Sequence, residues 1–267
     1  MASKFLLLFN LKNVTIYSEG EKMALFITLI VGLFTFLGSL IIFFVKNNKK
    51  IVDFSISIGF GALIALIILE LIPETLELIQ TKFMVMGSIV VTLLLLFVGI
   101  GILKILDKFI PHHEGKSKDT LVHIGIMTSI ALVVHNLLEG MAIYTSFNSS
   151  MTFGSMLGFG VALHNIPLGM SITSMFYKNS KDNVKAVVIS LLVSLSTFLG
   201  GLIAIVFSEI ILVEFYRGAI LSITLGMLIY IVLFELLPHI LENKNKKNIC
   251  FGIILGIVLI TLSSMLG

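Results

Sequence analysis

The residues best equipped for chemistry lie in two short stretches. The first reads His135-Asn136-Leu137-Leu138-Glu139-Gly140. On a helix His135 and Glu139 are four apart and share a face, and Asn136 stands three before Glu139, where it reaches the same carboxylate from the side. Imidazole, carboxylate and amide oxygen form a mixed nitrogen and oxygen set suited to a divalent first-row metal. The second stretch reads His164-Asn165-Ile166-Pro167-Leu168-Gly169. Pro167 has no N–H and leaves the carbonyl of Leu163 without its helical partner. Two neighbouring helices with His-Asn at similar depth would converge on one ion. The competing reading is that these side chains cross-link helices by hydrogen bonds. The buried carboxylate favours the ligand reading, since a cross-link has no need of one.

Further polar groups fall at the ends of apolar runs. Glu70 and Glu74 flank Pro73, and Glu235 and His239 flank Pro238. Each pair is spaced i, i+4, and each proline is expected to end its helix. These four residues serve either as entry and exit relays for a cation or as solvated helix ends. Pro111-His112-His113-Glu114 is a weak metal-capturing tract by composition, and His123 either extends that route or caps a helix. Gly154/Gly158 and Gly252/Gly256 have the GxxxG spacing that lets helices approach closely. Tyr144, Tyr177 and Tyr216 are candidate interface anchors.

The elements that must position these groups follow from composition. Of 267 residues, 57% are hydrophobic and only 12% charged, about half the charge of a soluble domain; the mean hydropathy is +1.11. Apolar runs long enough to cross ~30 Å of hydrocarbon occur at 23–45, 54–73, 83–103, 121–147, 151–177, 186–208, 218–241 and 249–267. The predicted fold is therefore an all-α integral membrane protein with eight transmembrane helices and one transporter-sized domain, 1–267. Asn148, Ser149 and Ser150 form a tight turn between the fourth and fifth spans. The net charge of +3 is small and no basic face is interleaved with aromatics, so no nucleic-acid partner is expected. One cysteine, Cys250, excludes an intrachain disulfide. The N-terminal MASKFLLLFNLKN is too short in its apolar core for a signal peptide and is read as mature chain.

The bases set an orientation. Lys46, Lys49, Lys50, Lys104, Lys108, Lys116, Lys118, Lys178, Lys181, Lys185, Lys244, Lys246 and Lys247, 13 of the 18 basic residues, fall in or beside the loops after the first, third, fifth and seventh spans. The positive-inside rule places those loops in the cytoplasm and both termini outside, in a multi-pass protein of the plasma membrane. The second span ends in Glu70-Leu71-Ile72-Pro73 and the seventh in Glu235-Leu236-Leu237-Pro238. One motif at opposite membrane faces is the mark of inverted repeats, three spans and three, with the fourth and fifth between.

With these motifs, HNLLEG in the fourth span and HNIP in the fifth above all, the chain resembles the ZIP family of metal-ion transporters, in particular its bacterial broad-range zinc permeases. The resemblance extends over almost the whole chain. It implies eight helices in a 3+2+3 arrangement with a metal centre between the fourth and fifth spans. One site would use His135, Glu139 and His164, and a neighbouring site Asn136, Glu139 and Asn165. Glu70 and Glu235, with Glu74 and His239 beside them, would lie on the access routes. The family pattern HNIPEG is broken at Leu168, and Thr197 stands where the bacterial branch commonly has an acid. One carboxylate then faces a dication where the family usually has two or three, which should lower affinity and shift the balance toward metals that favour nitrogen.

The function this implies is import of divalent metal, Zn²⁺ first, with Fe²⁺, Mn²⁺, Co²⁺ and Cd²⁺ as further candidates. The partners are the metal ions, membrane lipid and a second copy of the chain as a homodimer. No phosphate-binding loop is present to couple transport to ATP. A second reading is a protein that binds metal without moving it, as a sensor or scaffold. A third is an intramembrane metalloenzyme using His135, Glu139 and His164. The sequence has no HExxH and offers no general base once Glu139 is a ligand, so an enzyme is not expected.

Overall fold

The computed structural model describes residues 19–44, 49–109, 117–177, 183–207 and 213–265. The Pro111–Glu114 tract lies outside them. Eight helices follow in order: α1 (Glu19–Phe44), α2 (Lys50–Gln80), α3 (Val85–Phe109), α4 (Ser117–Ser149), α5 (Met151–Tyr177), α6 (Asn183–Val206), α7 (Glu214–Glu242) and α8 (Lys246–Ser264). All are long and apolar enough to span a membrane. Several outrun their apolar runs, so Glu74 and Asp107 sit on helices beyond those runs. Ser150 alone separates α4 from α5. Gly154 makes this possible, because a β-carbon there would collide with the backbone of Phe147.

Pro73 and Pro238 do not end their helices. In α2 the residues Ile67–Leu71 form a π-helical turn closed by the Ile72 N–H on the carbonyl of Ile67, and the α-helix resumes over Ile72–Gln80. In α7 the turn is Ile231–Leu236, closed by Leu237 N–H on Val232, and the helix resumes over Leu237–Glu242. Proline cannot donate to the carbonyl four residues back and its ring crowds that carbonyl. One wider turn just before the proline relieves both problems, and the proline then sits in the first turn of the renewed helix, where its missing N–H is harmless. Glu70 and Glu235 each lie within such a turn.

Glycines hold the helices in pairs. A β-carbon on Gly38 would strike the carbonyl oxygen of Ile166, and one on Gly169 that of Thr35, joining α1 to α5. Gly140 meets Thr197 and Gly200 meets Leu137, joining α4 to α6. Gly61 meets Ile253 and Gly256 meets Ile58 between α2 and α8, while Gly99 meets Ile223 and Gly226 meets Leu96 between α3 and α7. Exchanging α1 with α6, α2 with α7, α3 with α8 and α4 with α5 maps each pair onto another. The inverted repeat therefore appears in packing as well as in the paired π-turns. Of the two GxxxG spacings, Gly252/Gly256 faces α2 as a unit. Gly154/Gly158 is divided, Gly154 against the α4–α5 turn and Gly158 against Ile27 and Val31 of α1.

Hydroxyls add cross-links: Ser194 donates to the Gly32 carbonyl at 2.9 Å, Ser39 to that of Gly169 at 3.2 Å, and Ser263 to that of Gly160. Tyr144 is no interface anchor, because it is buried with Ala24, Phe147 and Ala204. Tyr216 is half-exposed at the start of α7. Leu94 and Phe97 of α3 and Phe251 and Ile254 of α8 are exposed, an outer apolar surface that would be costly in water.

Candidate metal centre

The centre is built from two adjacent helices. His135 and Glu139 stand one turn apart on α4, and His164 faces them from α5. His164 Nε2 is hydrogen-bonded to Glu139 Oε1 at 2.6 Å. His135 Nε2 approaches the same oxygen at 2.8 Å but outside hydrogen-bonding geometry. Three donor atoms on three side chains thus lie within 4.8 Å of one another, all deeply buried. Glu139 Oε2 has no hydrogen-bond partner. Ligands about 2.0–2.1 Å from a tetrahedral ion are roughly 3.4 Å apart, so a dication would enter by widening this cluster slightly.

Asn136 and Asn165 use their two ends differently. Asn136 Nδ2 donates to the Val193 carbonyl of α6 at 3.0 Å, and Asn165 Nδ2 to the Val31 carbonyl of α1 at 3.4 Å. Their Oδ1 atoms are buried without a hydrogen-bond partner. Each amide thus cross-links helices through its nitrogen and leaves its oxygen unsatisfied.

A cavity of about 280 Å³ leads to the three donors. Its wall carries Ser146, Ala142, Glu139 and His135 down α4 and Leu157, Val161 and His164 down α5, with Glu70 and Glu74 of α2 and Arg217 of α7 opposite. The lining stops at His135 and His164. In the next turn of each helix, Ala131, Leu132 and Leu168 are fully buried in the main apolar core. The cavity is thus open on the side of the α4–α5 turn and closed beyond the centre. Glu70 is not a surface group: its Oε2 is 3.8 Å from His164 Nδ1. Glu70 lies within the π-turn and faces Nδ1 of His164, the ring nitrogen opposite the one that meets Glu139. Leu168 does not line the cavity, and the Thr197 hydroxyl is buried and without a hydrogen-bond partner.

Among the described residues one other group has three candidate ligands, Asp107, His123 and Glu235. It lies on the far side of the apolar floor, where His123 Nε2 is 2.8 Å from Asp107 Oδ1 and 3.6 Å from Glu235 Oε1. His239 stands one turn after Glu235 and belongs to neither group. Sequence reasoning passed over Asp107 and Arg217. Asp107 lay in a stretch read as a basic loop, and its only signal was an acid between Lys104 and Lys108. Arg217 has no neighbouring motif in the sequence to mark it as a cavity residue.

Known proteins resemble the chain over most of its length. The family model described as ZIP Zinc transporter matches residues 111–264. The chain is 32% identical over 257 residues to the zinc transporter ZupT of Streptococcus mutans, covering 91% of this chain and 97% of that protein. It is 28% identical to ZupT of Clostridium perfringens, covering 91% and 95%, and 27% identical to ZupT of Chlorobaculum parvum, covering 93% and 98%. A family model spanning more than half of the chain, and relatives aligned with nearly all of it, show that this multi-pass membrane protein belongs to the ZIP family.

Proposed function

We propose that the chain, read as one transporter domain, is a permease that carries Zn²⁺ into the cytoplasm. The carrying observation is a cavity that opens at one face and ends on the buried cluster of His135, Glu139 and His164. In this reading those three side chains hold the ion. The oxygens of Asn136 and Asn165 complete or extend the site, and Glu70 and Glu74 guide the ion inward. Glu235 and His239 lie on the route out. The relatives' printed name, zinc transporter, supports Zn²⁺ as cargo. Fe²⁺, Mn²⁺, Co²⁺ and Cd²⁺ suit the same nitrogen and oxygen donors.

The distribution of lysines supports both termini outside, so the cavity faces outward in the plasma membrane and lipid meets α3 and α8. Every proposed ligand comes from one chain, so a homodimer would add no ligand. A dication moving inward gains about 4.6 kcal/mol at 100 mV, enough to drive accumulation without ATP. The sensor or scaffold reading draws on Leu168 and Thr197, but Glu70 beside His164 adds negative charge next to the centre. Membership of a transporter family gives the metalloenzyme reading no support. The test is Zn²⁺ flux into liposomes containing the purified protein, with a membrane potential negative inside. We expect saturable uptake above that of empty liposomes. Zn²⁺ binding without uptake would establish the scaffold reading instead.

A further inference from the structure

The cavity contains one group that a cation pathway would not be expected to display. Arg217, the only arginine in the chain, lines it from the first turn of α7. Its Nη2 lies 3.7 Å from Glu74 Oε1 on α2. The contact is single rather than the bidentate fork of a strong structural pair. Both side chains are partly exposed, 29% and 44%, and such pairs contribute little to stability. A guanidinium stays charged at any working pH, so this is a permanent positive charge in the entrance to a proposed cation site.

We propose that Arg217 is a tethered counter-ion that screens entry by occupying Glu74, making the pair a charge filter at the cavity mouth. The inference rests on the permease reading above. An incoming ion that engages Glu74 competes with the guanidinium for its charge. Coulomb attraction to the carboxylate doubles from a monovalent cation to a dication, so dications displace it and Na⁺ or K⁺ do so poorly. Once the ion has moved in to Glu70, His164 and Glu139, Arg217 pairs with Glu74 again. The mouth then holds the ion less strongly than the centre does. The cost of this arrangement is a weaker pull on the metal itself.

The two members of the pair should therefore act with opposite signs. Initial Zn²⁺ uptake is measured against buffered free Zn²⁺ for wild type, Arg217→Gln, Glu74→Gln and the double variant in liposomes. We expect Arg217→Gln to lower the half-saturating concentration at least threefold and to make uptake more sensitive to added KCl. Glu74→Gln, which leaves the guanidinium uncompensated, should raise it at least threefold, and the double variant should return close to wild type. A half-saturating concentration that rises or stays level in Arg217→Gln, or unchanged KCl sensitivity, would overturn the proposal. A purely structural pair would shift both single variants the same way. If Arg217→Gln does not fold, Glu74→Gln and Glu74→Asp carry the test: the first must raise the value and the second must not. Absence of wild-type flux would refute the permease reading alone. Equilibrium Zn²⁺ binding to the same proteins in detergent must still show the same order of affinities, or the filter fails as well.

Discussion

At the scale of residues, one carboxylate and two imidazoles form a centre with less negative charge than a dication carries. Glu70, 3.8 Å from His164, is the nearest further acid. Leu168 occupies the next turn of α5 in the apolar floor. We expect Leu168→Glu to destabilise the metal-free protein by roughly 3–5 kcal/mol, the scale of an uncompensated buried charge. A glutamate is longer than leucine and shares a helix face with His164, so Zn²⁺, by drawing its carboxylate from the floor toward the centre, should raise the melting temperature of the variant more than that of wild type. Thermal melting across a Zn²⁺ titration checks this; equal shifts in both proteins would mean that residue 168 does not reach the ion. The pairing of His135 with Glu139 was legible in the sequence, since helical spacing alone puts i and i+4 on one face. Its meeting with His164 followed from two adjacent spans carrying the same dipeptide. The closeness of Glu70 was not legible, because it depends on a π-turn that periodicity does not report. Neither was the pairing of Arg217 with Glu74, which lie far apart in sequence.

At the scale of elements, the eight helices were legible from apolar length. Their ends were less so, because charged turns such as that around Asp107 continue a helix begun in the apolar run. The two prolines show why a local rule failed. Each signals a helix end by itself, but a π-turn ahead of it lets the chain continue and turns Glu70 or Glu235 inward. Helix pairing was the least visible feature, since GxxxG spacing does not say which neighbour each glycine meets. The glycine contacts make a graded test. Gly256→Ala places a methyl against the Ile58 carbonyl, whereas at Gly101 nothing lies within 4 Å of the added carbon. We expect Gly256→Ala to cost roughly 1–3 kcal/mol, the usual penalty of overpacking. Gly101→Ala should be neutral or stabilising by up to about 1 kcal/mol through helix propensity. Melting of the two purified variants in detergent measures the difference; equal stability would show that the close approach is not needed.

At the scale of the whole molecule, glycine contacts join α1 to α5 and α4 to α6, and Gly32 against Ser194 adds an α1–α6 contact, while Gly59 against Ser171 ties this group to α2. The group carries all three donors. Glu70, Glu74, Arg217, Asp107 and Glu235 belong to the remaining helices. An ion that reaches the centre meets the closed floor of Ala131, Leu132 and Leu168, so release on the other side requires one set of helices to move against the other. Orientation is testable separately. With Cys250 replaced by serine, a cysteine at Asn148 beside the α4–α5 turn should react with an impermeant thiol reagent on intact cells. A cysteine at Asn245, which caps α8, should resist it; the opposite pattern would invert the orientation. The most direct test of the central claim is Zn²⁺ flux through Glu139→Gln in liposomes beside wild type. This change removes the shared charge at nearly constant volume. We expect a folded protein whose uptake falls to the level of empty liposomes, and wild-type flux through well-folded Glu139→Gln would contradict a metal centre built on this carboxylate.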